Sequence, residues 1–350
     1  MLFSARPKET RSELFDREEE LKELEAYTKH PLVLITGPRR IGKTSVLKVY
    51  LKEAHAASAF VDLRFPVNSY KSLYSIFSSL LTQLSHRSFP KRLKELLQRM
   101  DGVNVAGLDI SLSWGRRPSL AEVMDKLNSL GKVLIAFDEA QNLRGMLAEQ
   151  FTSLVAHCYD YCGNITFILT GSEAGLLYDL LRQDDPEAPL YGRHMEEIRV
   201  KRFDRESSIR FLERGFKEAE VDVSKEVINY AVDRLDGVAG WLTEFGLASL
   251  KSRPNKELVD AVFERAAKTS LNEVSNYSDE YLRVVEAIGV GKDRWSQIKQ
   301  HLSVKKRREV YDAELSRYLN RLKKRGYIEL KEDGRYGLLD PILSNYFSSN

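Results

Sequence analysis

Eight residues, Gly37-Pro38-Arg39-Arg40-Ile41-Gly42-Lys43-Thr44, follow the spacing G-x-x-x-x-G-K-[ST]. Glycines at both ends of such a run let the loop wrap phosphate oxygens. Backbone N–H groups and the N-terminus of the next helix then point at the anion. Lys43 is placed to contact β- and γ-phosphates, and the Thr44 hydroxyl to ligate Mg²⁺. The run from Gly37 through Ser45, with Pro38, Arg39, Arg40 and Ile41 inside it, is therefore the candidate nucleotide cradle. About 95 residues beyond Lys43, Asp138 and Glu139 close an apolar run over 133–137. Asp138 is placed to hold Mg²⁺ directly or through water, and Glu139 to polarise a water that attacks the γ-phosphate. The same carboxylates would also serve as caps of the turn that follows. Lys43, Asp138 and Glu139 are the candidate catalytic residues, with Thr44 and Asp138 as metal ligands. An Asp-Glu pair where a GTPase carries Asp-x-x-Gly, and the lack of an Asn-Lys-x-Asp reader, favour ATP or ADP over guanine nucleotides.

Such groups need a sheet to hold them. Continuous apolar runs at 31–36, 59–63, 133–137 and 165–170, with a fifth at 197–200, have the composition of strands buried on both faces. Helical patterns separate them, so an α/β fold with a doubly wound parallel sheet follows. Both motifs then sit at carboxyl ends of strands, where open α/β sheets bind ligands. Alternation over 103–114 predicts an inserted hairpin or an edge ribbon. From Arg205 the strand signal stops, and helices are expected over 205–216, 224–235 and 241–250, the second capped by Ser224.

The 350 residues are 43% hydrophobic and 30% charged, enough apolar content for packed cores and for two or three domains. The net charge of +3 is unevenly distributed. Residues 281–350 hold 15 Lys+Arg against 9 Asp+Glu, net +6, which leaves −3 for the first 280. That basic unit reads as three helices (281–288, 295–301, 313–325) and a hairpin about Glu332-Asp333-Gly334, the layout of a winged helix. Lys305-Lys306-Arg307-Arg308 and Arg321, Lys323, Lys324 and Arg325 bracket its third helix, in the place of a recognition helix. Cations there suit a DNA partner, although winged helices also contact proteins, so the expected macromolecular partner is DNA or protein.

Phe15-Asp16-Arg17-Glu18-Glu19-Glu20-Leu21, the 37–45 loop and Phe137-Asp138-Glu139-Ala140-Gln141 together resemble the archaeal ATPases of the AAA+-related STAND class. The resemblance runs from about Leu14 to Phe347. It implies a P-loop NTPase core, a helical lid and a C-terminal winged helix, as in origin-recognition initiators, with Mg²⁺-dependent ATP hydrolysis or a slow nucleotide-gated switch as the activity. By similarity, Phe15 and Arg17 lie over the adenine. Thr170 or Ser172 reads the γ-phosphate, and Arg193, in Pro189-Leu190-Tyr191-Gly192-Arg193, contacts it. On the residues alone Arg193 would equally pair with Glu196 or Glu197. Asp236-Gly237-Val238-Ala239-Gly240-Trp241 resembles the family's Gly-x-Pro turn, with Ala239 where Pro is usual and a less rigid turn expected.

The divisions expected are 1–203 (ATPase core), 204–270 (lid) and 271–350 (winged helix). Cys158 and Cys162, four apart, read as core thiols with no metal ligand at suitable spacing, and His157, His194 and His301 as non-ligands. Trp114, Trp241 and Trp295 read as packing residues. No apolar run approaches the roughly 20 residues that span a bilayer, and the N-terminus has no signal-peptide core, so no membrane partner and a cytoplasmic location are expected.

Overall fold

The computed structural model describes residues 1–64, 69–87, 91–113, 118–172 and 174–349. In chain order the first strands are β1 (Leu32–Thr36), β2 (Ala57–Asp62), β3 (Val103–Ala106) and β4 (Asp109–Leu112). They are followed by β5 (Val133–Asp138), β6 (Ile165–Gly171) and β7 (Glu196–Arg199). Five of them form one parallel sheet in the order β2-β5-β6-β1-β7. The three inner strands are buried at every position, as their unbroken apolar runs require, whereas the edge strands β2 and β7 alternate. One apolar cluster fills each face of the sheet, built around Phe77, Phe137, Phe151 and Phe167 on one side and Ile35, Val46 and Ile198 on the other.

β3 and β4 pair antiparallel as a separate hairpin, with Val103 opposite Leu112. It is thus an insertion and not an edge of the large sheet. Its anchor is the helix Tyr70–Arg87. There the Thr82 hydroxyl donates to the Ile110 carbonyl at 3.1 Å and accepts from the Ile110 N–H at 2.9 Å. Trp114 lies outside the described residues.

Four helices follow the sheet: Arg205–Glu218, Lys225–Leu235, Ala239–Ser249 and Lys256–Ser275. Asp204, Ser224 and Asn255 cap three of them, each accepting from a backbone N–H three residues on. The fourth, the longest of them, runs straight to the C-terminal unit. The cluster these helices enclose takes in both chain ends, with Leu2 and Phe3 from one and Ile342 from the other. The Phe3 ring meets Phe211 and Phe216 edge-on at 5.9 and 5.0 Å.

The C-terminal unit is a winged helix. Helices Asp279–Gly289, Trp295–Lys306 and Asp312–Lys324 precede an antiparallel pair, β8 (Ile328–Leu330) and β9 (Tyr336–Leu338). Leu315, Leu319 and Leu322 are buried together, so one face of the third helix packs inside as their spacing predicts. A closing helix, Pro341–Ser349, places Ile342 in the lid cluster and Leu343 in the winged-helix cluster. Among the described residues no helix is long and apolar enough to cross a membrane.

Candidate nucleotide site

The loop after β1 leads into the helix Lys43–Glu53, and Gly42, at φ 106°, makes the turn between them. Lys43 is 5% exposed, and its Nζ donates to the carbonyls of Gly37 and Pro38 at 2.8 and 2.7 Å. Burial lowers its pKa to about 8, against the opposing pull of Glu139 and Asp138. The Thr44 hydroxyl donates to Asp138 Oδ2 at 2.9 Å, and the Thr170 hydroxyl donates to Asp138 Oδ1. Burial raises the Asp138 carboxyl above its ordinary value, and these two hydrogen bonds oppose that shift.

Glu139 sits at φ 56°, an uncommon conformation for a residue with a side chain. Its N–H donates to the Thr170 hydroxyl at 3.1 Å, which leaves Thr170 fully engaged between the two acidic residues. The Glu139 carboxylate accepts from the Ser172 hydroxyl at 2.8 Å and from the Gln141 amide. Of the two hydroxyls at the end of β6, Ser172 is the one bonded to the Glu139 carboxylate, while Thr170 meets its backbone N–H. Gln141, 5% exposed, has its Oε1 buried without a partner.

Between the loop and the first and third helices of the lid lies a cleft of about 450 Å³. The loop residues Arg39 to Ser45, Phe15, Arg17 and Glu139 all line it. Phe15 presents its ring edge-on to Phe203 and Phe211 at 5.6 and 5.4 Å. Arg17 is 6% exposed, and its guanidinium is bonded to the carbonyls of Asp16, Ile41 and Lys201 and stacked 4.4 Å from the Phe203 ring centroid. Its observed contacts therefore tie the loop, at Ile41, to Asp16 and Lys201.

Arg193 is not brought to the cleft. It forms a two-pronged pair with Asp160, at 3.0 and 2.6 Å, and bonds the Pro189 carbonyl; its partner is neither Glu196 nor Glu197. The two other loop arginines also find partners within the chain. Arg39 reaches Glu273 at 3.3 Å and the Tyr277 hydroxyl at 3.0 Å, and Arg40 stacks 4.1 Å from the centroid of the buried Trp241. The Arg40 carbonyl accepts the Gly240 N–H at 2.9 Å.

Sequence reading missed the N-terminal arm and the lid's share of the wall. Lys8 N–H donates to the Ser45 hydroxyl at 3.0 Å, and Ser4 to Lys8 line the cleft with Thr243 and Glu244. No local pattern signals this, because residues 4–8 carry neither periodicity nor motif.

Acidic and hydroxyl oxygens on Asp138 and Thr44 are the donor set a hard divalent cation prefers. A buried ammonium beside loop N–H groups suits phosphate. The residues present therefore fit a magnesium nucleotide.

Residues 14–245 match the family described as an ATPase domain predominantly from Archaea, and residues 276–339 the MCM protein C-terminal winged helix-turn-helix domain. A Walker-type ATPase of Pyrococcus abyssi is similar over 99% of this chain and 100% of its own, at 34% identity and TM-score 0.83. The ORC2 protein of Aeropyrum pernix, in ADPNP–ADP complexes, shares the fold at 16% identity and TM-score 0.58, over 96% of this chain and 95% of its own. Cdc6p of Pyrobaculum aerophilum does so at 14% identity and TM-score 0.50, over 99% and 97%. No curated protein matches the chain. With two thirds of its length matched to one family and a full-length relative at 34% identity, the chain belongs to the ATPases found predominantly in Archaea.

Proposed function

We propose that the protein binds ATP with Mg²⁺ in the cleft between the 37–45 loop and the lid, and hydrolyses it to ADP and phosphate. The observation that carries this reading is the meeting of Lys43, Thr44, Asp138 and Glu139 at the carboxyl ends of β1 and β5. Lys43 exchanges its two loop carbonyls for β- and γ-phosphate oxygens. Thr44 and Asp138 hold the cation, whose chemistry is to neutralise charge developing on the phosphates. Glu139 orients water and takes its proton, while Ser172 and Gln141 hold the carboxylate in place. Phe15 offers its ring to the base. Arg17 holds the loop. The functional units are residues 1–203, 204–270 and 271–350, with Leu2 and Phe3 tied into the second. In a direct binding test, Lys43→Ala should lower ATP affinity at least about 100-fold, the loss of a charged, desolvated phosphate contact being of order 3 kcal/mol. Unchanged affinity would remove the reading.

One observation favours a second reading, in which nucleotide state sets the position of the winged helix. Several of the cations expected to meet DNA have partners within the chain. Lys324 pairs with Asp179 at 2.7 Å, Arg325 stacks 3.6 Å from the Tyr277 ring centroid, and Lys306 and Arg308 bond Glu314 at 2.6 and 2.8 Å. The first turn of the third helix, the end that reads bases in helix-turn-helix proteins, carries Asp312 and Glu314. In this reading the winged helix works through its contact with the core, and a DNA or protein partner competes for that contact.

A further inference from the structure

In sequence, Cys158 and Cys162 have no third ligand at a metal-site spacing. The fold supplies two. Asp125, on the helix Leu120–Asn128, lies 37 residues before Cys162 and projects to the end of the helix Met146–Tyr161. Its Oδ1 stands 2.8 Å from His157 Nε2 and 3.5 Å from Cys162 Sγ. These three donor atoms all lie within 4.8 Å of one another.

The Asp125–Cys162 spacing is what a tetrahedral ion requires. With about 2.3 Å to a thiolate and about 2.0 Å to a carboxylate oxygen, tetrahedral angles place S and O about 3.5 Å apart. The same geometry puts the imidazole N and the carboxylate O about 3.3 Å apart, so His157 needs to move by about half an ångström. Two further features prepare the place. Asn164 N–H donates to Asn128 Oδ1 at 2.8 Å and Asn164 Nδ2 donates to the Asn128 carbonyl at 3.0 Å, locking the two ligand-bearing elements together. Burial is graded: Cys162 is 1% exposed, while the side chains of His157 and Asp125 are 29% and 50% exposed. A route from solvent is therefore open past the part-exposed side chains of Asp125 and His157.

We propose that Asp125, His157 and Cys162 form a binding site for a divalent cation of the zinc class, with its fourth position open to water. Nitrogen, sulfur and oxygen donors together select zinc over magnesium or calcium. On binding, the Cys162 S–H bond breaks, its proton passes to water and the S–metal bond forms; His157 binds as neutral imidazole through Nε2 and Asp125 as carboxylate. The site lies at the amino end of β6, opposite the end that carries Thr170. Seven strand residues at about 3.3 Å each separate it from the nucleotide cleft by roughly 20 Å. Its effect is structural, joining two helices on one face of the sheet.

The test uses the full-length protein stripped of metal, with excess Mg·ADP present to occupy the phosphate loop. Co²⁺ added to the parent should bind once per chain and give a thiolate-to-cobalt charge-transfer band. Cys162→Ser should lose the band and weaken Zn²⁺ binding by more than about 100-fold, beyond what loss of an outer partner causes. His157→Gln, at a part-exposed position where folding is not at stake, should weaken binding and abolish the rise in melting temperature that Zn²⁺ gives the parent. No charge-transfer band in the parent, or Zn²⁺ affinity unchanged in His157→Gln, would overturn the proposal.

Discussion

At the scale of single residues, the site rests on a buried ammonium. Desolvation holds Lys43 near pKa 8, and a bound phosphate would restore its charged form. Binding of ADP should then take up a proton above about pH 8, with affinity flat below that value and falling up to about tenfold per unit above it. Calorimetric titration across about pH 6.5 to 9.5 reads the bend, which should be absent in Lys43→Ala. The same shift acts on folding with the opposite sign to a gained ion pair. Between about 8 and 10.5 the folded protein carries fewer protons than the unfolded chain, so the nucleotide-free protein should gain stability as pH rises through that window. Glu139 shows a second restraint at this scale, with Ser172 and Gln141 both bonded to the carboxylate that would take the proton from water.

Among the elements, the helix Ala239–Ser249 is the lid's point of contact with the loop. Ala239 is its first helical residue, a position where proline is well tolerated. The turn is nevertheless held, because Gly240 donates to the Arg40 carbonyl and Trp241 lies under the Arg40 guanidinium. A Cβ on Gly240 would stand 2.8 Å from Arg40 Cβ and 3.0 Å from the Arg40 carbonyl. Gly240→Val should therefore destabilise the protein by about 1–3 kcal/mol and weaken nucleotide binding together, measured by urea unfolding and ADP titration. An equal loss of stability without any change in affinity would separate lid from loop. The five strands of the sheet and most helices were legible because buried runs and 3.6-residue periods are local signals. The phosphate loop and the Asp138-Glu139 pair were legible because their chemistry demands contiguous residues. What escaped was set by packing across distance. Arg193 finds Asp160, Arg39 finds Glu273, Phe3 enters the lid and Asp125 meets Cys162, and none of these pairings leaves a spacing in the sequence.

For the whole molecule, the uneven charge seen in sequence takes on a physical meaning. The basic unit does not present all its cations outward; its third helix closes on the core. At Gly175 a Cβ would lie 2.5 Å from the Lys324 backbone, so only glycine allows this approach. The Lys324–Asp179 pair beside it is half exposed and contributes about 0.2–1 kcal/mol at most, so close packing sets the arrangement more than charge does. Gly175→Leu should release the winged helix, enlarging the radius of gyration in solution scattering. It should also strengthen duplex DNA binding in a salt-dependent manner if DNA competes for that face. An unchanged radius would show that the contact does not hold the unit in place. All of this depends on the cleft being a nucleotide-hydrolysing site, and phosphate release at saturating Mg·ATP tests that most directly. The parent should release phosphate, and Glu139→Gln should bind ATP as tightly while releasing it at least about 100-fold more slowly. Equal rates in the two proteins, or no release from the parent, would contradict it.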